Sequence, residues 1–353
     1  MAKSGKRTRW GVVGCGMISE DMASAMKLLP EEEHTIVAVG ASSLEKAQKF
    51  VDKLSLSDAT AYGSYSEVYA NKDVDVVYIG LLNTQHKDAV LEALEAGRNI
   101  LCEKPLGLSV KEVREMIDKA REKKVFFMEA YWSRFFPVYK KLKEELKEKS
   151  IGDVMLMQGD YGIDGTLPRQ VELELGGGFL YDIGCYLVQL ALLAFNHDKP
   201  ERITAVGWKR DGVDNAGSVT LKFSGERMAQ LLYNGNFYTK NQAVIYGTKG
   251  HLLIPEEFNH PETLTKYVTE PNEKTETNKW PIPNKEGLHF NFGHSNGLCY
   301  ELAAVRECLL KGLTECPEVP WEESITIAEI LEEVRLQLGV KYPQTKKDDD
   351  KKC

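Results

Sequence analysis

The stretch Trp10-Gly-Val-Val-Gly14-Cys-Gly16-Met-Ile-Ser19 decides the fold. A short apolar run from Arg9 to Val13 reads as a strand. It turns through a glycine loop into a segment with helical spacing, Met17 to Leu28. Gly14 allows the tight turn, and Gly16 lets the backbone approach a pyrophosphate. Ser19, in the third position, is small enough for close helix–strand packing. The peptide N–H groups of the helix start, around Met17 and Ile18, then form an anion site.

Outward from this loop, strand and helix signals alternate. Thr35–Ala41, Val74–Gly80, Asn99–Cys102 and Val125–Met128 are apolar or β-branched runs. Helical patterns fall between them at Leu44–Leu54, His86–Ala96 and Ser109–Glu122. Apolar strands joined by helices imply a doubly wound parallel sheet covered on both faces, a Rossmann α/β domain over residues 1–128. From residue 129 the rhythm changes. A helix at Tyr139–Lys149 leads into period-2 runs at Val154–Tyr161, Arg202–Trp208, Ser218–Phe223, Met228–Tyr233 and Gln242–Tyr246. Helices return at Tyr300–Lys311 and Glu322–Leu338. This pattern predicts an α+β domain over 129–353 built on a large, mostly antiparallel open sheet, the second half beside which a substrate would bind. The charged run Lys346–Cys353 reads as a solvated end.

The 353 residues fit about two domains. With 45 Lys+Arg against 53 Asp+Glu the formal charge is −8, which argues against a nucleic-acid partner. The longest apolar stretch, Leu187–Phe195, is far shorter than the ~20 residues of a membrane span. No apolar segment backs the basic start of the chain, so no secretory signal is expected there. Seven scattered cysteines without a CxxC pair read as reduced thiols in a cytoplasmic protein. The seven histidines show no metal-ligand spacing, and no metal is expected.

Two clusters carry the chemistry. Cys102-Glu103-Lys104-Pro105 follows a parallel strand, at the carboxyl end where ligands of such sheets bind, so Lys104 is placed where cofactor and substrate would meet. Gly176-Gly-Gly-Phe-Leu-Tyr-Asp182-Ile-Gly-Cys-Tyr186 opens an apolar helix and puts Asp182 and Tyr186, four apart, on one face. Asp182 also suits a helix cap, and Tyr186 a packed aromatic. At the exit of the second strand the chain reads Ser42-Ser43-Leu-Glu-Lys46, with no carboxylate at the strand end. Two hydroxyls and a lysine suit a ribose 2′-phosphate, which favours NADP and leaves NAD open.

These pieces, with Asn83-Thr-Gln-His86, Ala96-Gly97 leading to Glu103-Lys104-Pro105, and Met128-Glu-Ala-Tyr-Trp132-Ser-Arg134-Phe-Phe-Pro137, resemble the Gfo/Idh/MocA oxidoreductase family over nearly the whole chain. Glu332-Glu-Val-Arg335 and Tyr186, where many members carry His, point to a branch that oxidises trans-dihydrodiols of aromatic hydrocarbons to catechols and pyranoses such as D-xylose to the lactone. The resemblance implies that Lys104, Asp182 and Tyr186 are catalytic. It places Asn83, His86 and Glu103 at the cofactor, puts Trp132 and Arg134 at the border of the active-site cleft, and makes the chain a homodimer through its C-terminal sheet. One departure stands out: NADP-using relatives often have Arg where this chain has Ser42. In the expected reaction Tyr186 takes a proton from the substrate hydroxyl while a hydride leaves carbon. Lys104 supplies the cation a phenolate needs near neutral pH, and Asp182 accepts from Lys104 or from a substrate hydroxyl. The alternatives are a non-catalytic NAD(P)-binding regulator on the same fold, or a family enzyme for an inositol, another sugar or a bilin.

Overall fold

The computed structural model describes residues 7–269 and 272–345. The acidic and basic tail Lys346–Cys353 lies outside the described residues. The chain divides into two compact units.

The first unit holds residues up to Gly107, Lys111–Phe135 and Ile282–Trp321. Its sheet comprises β1 (Thr8–Val13), β2 (His34–Gly40), β3 (Thr60–Tyr62), β4 (Val76–Ile79), β5 (Asn99–Glu103) and β6 (Phe127–Ala130). All are parallel in the order β3-β2-β1-β4-β5-β6, the dinucleotide-binding arrangement with its order reversing between β1 and β4. The core strands read as unbroken apolar runs because both faces are buried: every residue of β4 is buried, as are Val12 and Val13 of β1. β3 and the short helix Tyr65–Ala70 were not anticipated from the sequence.

The units do not divide at residue 128/129. Segment 282–321, expected in the second domain, belongs to the first unit, as do residues 129–135. Polar contacts explain why. Asp21, fully buried on helix Met17–Met26, accepts the backbone N–H groups of Asn291 at 2.7 Å and Phe292 at 3.0 Å. The outer edge of β6 is sealed by the same segment: Phe127 donates to the Thr314 carbonyl at 3.0 Å, and Trp321 Nε1 donates to the Phe127 carbonyl at 2.8 Å.

The second unit holds Leu108–Val110, Phe136–Pro281 and residues from Glu322 on. Its sheet comprises β7 (Val154–Gly162), β8 (Arg202–Arg210), β9 (Val213–Lys222), β10 (Met228–Asn234), β11 (Ala243–Gly247), β12 (Gly250–Ile254), β13 (Thr263–Val268) and β14 (Lys274–Lys279). The order is β14-β13-β12-β11-β7-β10-β9-β8. Every pair is antiparallel except β7 with β10, which run parallel. β12 to β14 exceed the sequence expectation. Helix Cys185–Ala194, all of whose residues are buried, packs on one face; a Cβ at Gly159 of β7 would sit 2.8 Å from Leu187 Cδ2. The segment Leu173–Ala194 is long and apolar enough to match a membrane span in composition, but 94% of its most apolar window is buried within the fold. On alternate positions the sheet exposes Val206 and Trp208 of β8 and Met228 and Leu232 of β10.

Candidate active site

The glycine loop sits at the reversal of strand order. Gly14 has φ +92° and its N–H donates to the Gly40 carbonyl at 3.0 Å. A Cβ there would lie 2.8 Å from the Gly80 carbonyl oxygen, so only glycine serves. Gly16 is the N-cap of helix Met17–Met26, with extended backbone and no side chain capping the terminus. A Cβ on Gly16 would meet only the Gly80 carbonyl oxygen, at 3.8 Å, so its outer side is open. The helix start therefore offers the N–H groups of Met17 and Ile18 beside open space, which fits a pyrophosphate. Ser19 is fully buried, and a Cβ on Gly80 would sit 2.2 Å from its Oγ, so the close helix–strand contact is present. Burial, with Glu20 adding, pushes the Cys15 thiol up to about 11, so the loop carries no reactive thiolate.

At the exit of β2, Ser43 caps helix Leu44–Leu54 by accepting the Lys46 N–H. Lys46 Nζ bonds Ser42 Oγ at 3.1 Å. Among the described residues the Lys46 ammonium meets no carboxylate; Glu45 pairs with Lys49 instead. The set fits a ribose phosphate: one cation and a hydroxyl on an exposed turn.

Lys104 follows β5 in a turn whose backbone is gripped by buried side chains. Glu103 Oε2 accepts the Lys104 N–H at 3.3 Å, while its Oε1 accepts the Tyr78 hydroxyl at 2.7 Å. Glu129 Oε1 accepts the Leu106 N–H at 3.1 Å. His86, buried on helix Asn83–Glu95, sets Nδ1 2.9 Å from the Pro105 carbonyl and Nε2 3.1 Å from the Leu81 carbonyl. Burial, despite the backbone bonds and aided by the Lys104 charge, holds the His86 pKa below its ordinary value. A neutral imidazole has one N–H, so His86 donates to one of these two carbonyls, sits against the other, and carries no charge to a ligand. The Lys104–Pro105 peptide is cis. Glu129 was missed as a site residue; nothing in its spacing reports a bond to a turn 23 residues earlier.

In the second unit, Leu180–Gly184 forms a π-helical turn that passes into helix Cys185–Ala194, so Asp182 and Tyr186 flank a π/α junction rather than sharing a plain α-helix. Both Asp182 oxygens are bonded: Oδ1 to Arg169 Nη1 at 2.6 Å and Oδ2 to Gln170 Nε2 at 2.7 Å. Neither residue was singled out from the sequence. Tyr186 is buried, with its ring edge-on to Tyr161 at 6.1 Å between centroids. Burial pushes the Tyr161 phenol well above its usual range, with the Asp182 charge adding, so Tyr161 is a wall rather than a base. Asp214 Oδ2 accepts the Leu180 N–H at 2.6 Å and so fixes the start of the π turn. Gly178, at φ +133°, lets that carboxylate approach; a Cβ there would lie 2.4 Å from Oδ1. Trp132 and Arg134 lie in a buried 3-10 turn, and Arg134 Nη1 donates to the Glu318 carbonyl at 3.4 Å.

A model of the oxidoreductase family with an NAD-binding Rossmann fold matches residues 8–131, and a model of the GFO/IDH/MocA C-terminal domain matches 139–253. The chain belongs to the Gfo/Idh/MocA oxidoreductase family. Among family relatives, the trans-1,2-dihydrobenzene-1,2-diol dehydrogenase of Xenopus tropicalis is 43% identical over 338 residues, covering 95% of this chain and 99% of that protein. The enzyme of the same name from Sus scrofa is 40% identical over 340 residues, covering 96% and 99%. Solved structures share the fold. A 3-ketoreductase from Actinomadura kijaniata, crystallised with NADP and TDP-benzene, has a TM-score of 0.77 at 23% identity, covering 94% of this chain and 98% of that one. A levoglucosan dehydrogenase, crystallised with NADH and levoglucosan, has 0.81 at 18%, covering 96% and 100%.

Asp214 gives this region a pH signature. Burial raises its pKa from the ordinary carboxylate value to about 6. The native state therefore holds an extra proton in that window, and this group's contribution to stability is lost as pH rises through 6. Asp214→Asn keeps an oxygen for the Leu180 N–H and removes the titration. The difference in Tm, variant minus wild type, is expected to be more positive at about pH 7.5 than at about pH 4.5 by calorimetry. A pH-independent difference contradicts the assignment.

Proposed function

We propose that the chain is an NADP-dependent dehydrogenase of vicinal diols. Its substrates on this reading are trans-dihydrodiols of aromatic hydrocarbons, oxidised to catechols, and pyranoses such as D-xylose, oxidised to the lactone. The observation that carries the reading is the fixed pair Asp182 and Tyr186 on one π/α junction, with both Asp182 oxygens held. An ionised carboxylate only accepts hydrogen bonds, so Asp182 suits a hydroxyl neighbouring the one that reacts. A nicotinamide nucleotide held at the Gly14–Ser19 loop would supply the hydride acceptor. Tyr186 takes the hydroxyl proton. Lys104 stabilises the oxyanion that develops, on a turn kept still by Glu103, Glu129 and His86. The likeness to dihydrodiol dehydrogenases over 95% of the chain supports this substrate class.

Purified protein mixed with NADP⁺ and trans-1,2-dihydrobenzene-1,2-diol or D-xylose is expected to form reduced nicotinamide. Tyr186→Phe is expected to slow turnover about 10²- to 10⁴-fold. No reduction with any diol or aldose sinks the reading, and a few-fold effect of Tyr186→Phe removes that residue from the base role.

The NADP preference rests on Ser42 and Lys46. Lys46→Asp is expected to lower kcat/KM for NADP⁺ by about tenfold or more and to leave NAD⁺ little changed, a difference of about 1.4 kcal/mol. Equal effects on both nucleotides contradict the preference.

We also propose that a second copy of the chain covers the exposed sheet face bearing Val206, Trp208, Met228 and Leu232. Light scattering is expected to give a dimer mass, lost on Trp208→Glu with Leu232→Glu; a monomeric wild type overturns this. The free cysteines among the described residues suit a reducing, cytoplasmic setting.

A further inference from the structure

Asp182 does not stand by itself. Its side chain is only 10% exposed, and a carboxylate at such a site is costly unless paired and hydrogen-bonded. The short helix Pro168–Val171 supplies both partners: Arg169 to one oxygen at 2.6 Å and Gln170 to the other at 2.7 Å. Gln170 is itself fixed twice. Its Oε1 accepts the Leu167 N–H at 3.0 Å, and its carbonyl accepts the Gly178 N–H at 2.9 Å. The Gly178 carbonyl accepts the Asp182 N–H at 3.3 Å, closing a ring of bonds through both backbone and side chain. Gln170 is buried, whereas the Arg169 side chain is 37% exposed. A half-exposed ion pair adds little to folding, so stability is a weak reason for this arginine.

We propose that Arg169 is a positioning residue that aims Asp182 and balances its charge, and that it affects turnover only through Asp182. The proposal rests on the reading of Asp182 as an acceptor for a substrate hydroxyl.

The test is a double-variant cycle with trans-1,2-dihydrobenzene-1,2-diol and NADP⁺. Arg169→Ala is expected to lower kcat about tenfold or more, with Tm and circular dichroism close to wild type. Arg169→Lys is expected to recover part of the loss, since it restores charge without the planar fork. Millimolar guanidinium is expected to restore Arg169→Ala but not Asp182→Asn. In the Asp182→Asn background, Arg169→Ala is expected to cost less than about threefold. If the two effects multiply, or if Arg169→Ala alone stays within about threefold of wild type while Asp182→Asn is crippled, the proposal fails and the reading of Asp182 survives. If Asp182→Asn itself turns over like wild type, the reading fails and the proposal with it. Arg169→Gln, which keeps a donor without the charge, supplies the comparison should the alanine variant not fold.

Discussion

The contact between Ser19 and Gly80 sets the geometry on which the nucleotide half depends. A Cβ on Gly80 would sit 2.2 Å from Ser19 Oγ, and one on Gly14 would sit 2.8 Å from the Gly80 carbonyl oxygen. The first helix, the exit of β1 and the exit of β4 therefore meet at backbone distance, at the one place where the strand order reverses. That closeness points the helix N-terminus at the crevice and keeps the outer side of Gly16 open. It also fixes Leu81, whose carbonyl faces His86; His86 faces Pro105, beside Lys104. A run of short contacts thus connects the phosphate end of the site to its lysine through neutral groups.

Around Lys104 the first unit concentrates acids that ordinary folds leave at the surface. Glu103, Glu129 and Glu301 are all buried. Glu103 and Glu129 are spent on backbone N–H groups of the turn. Glu301 differs. Burial, with the Glu103 charge adding, pushes its pKa well above the usual carboxylate range. The segment that carries it is anchored by Asp21 and by the β6 edge, so Glu301 arrives with the chain's return to the first unit.

How far the sequence could be read follows from which forces are local. β1, β2 and β5 were visible because strands buried on both faces must be apolar throughout. β14, Lys-Thr-Glu-Thr-Asn-Lys, is an edge strand with no apolar residue, and no pattern announces it. β3 is only three residues long. The return of 282–321 hangs on Asp21 with Asn291 and on Phe127 with Thr314, pairings hundreds of positions apart that spacing cannot report. The same split runs through the site. Gly14, Ser19, Lys104, Asp182 and Tyr186 lie in motifs whose chemistry is local. Glu129, Arg169, Gln170 and Asp214 act on residues in other segments, and only coordinates reveal them. Asp182 shows what that costs: spacing gave no sign that Arg169 and Gln170 hold its two oxygens.

Charge supplies the last step. The chain carries 53 acids against 45 bases, so a lysine that finds no acid needs a reason. On the same helix Lys49 pairs with Glu45 at 2.7 Å, and Lys53 reaches Glu20 at 2.7 Å. Lys46, one turn before Lys49, turns instead to the Ser42 hydroxyl at the exit of β2. A hydroxyl leaves the ammonium's charge uncompensated, whereas a carboxylate would cancel it. Such a cation beside a strand exit attracts an anion from solution, and an aspartate there would repel one. A −8 chain thus carries two local anion-attracting features without a basic surface: the open helix start beside Gly16, and a lysine at the exit of β2 whose charge no carboxylate cancels.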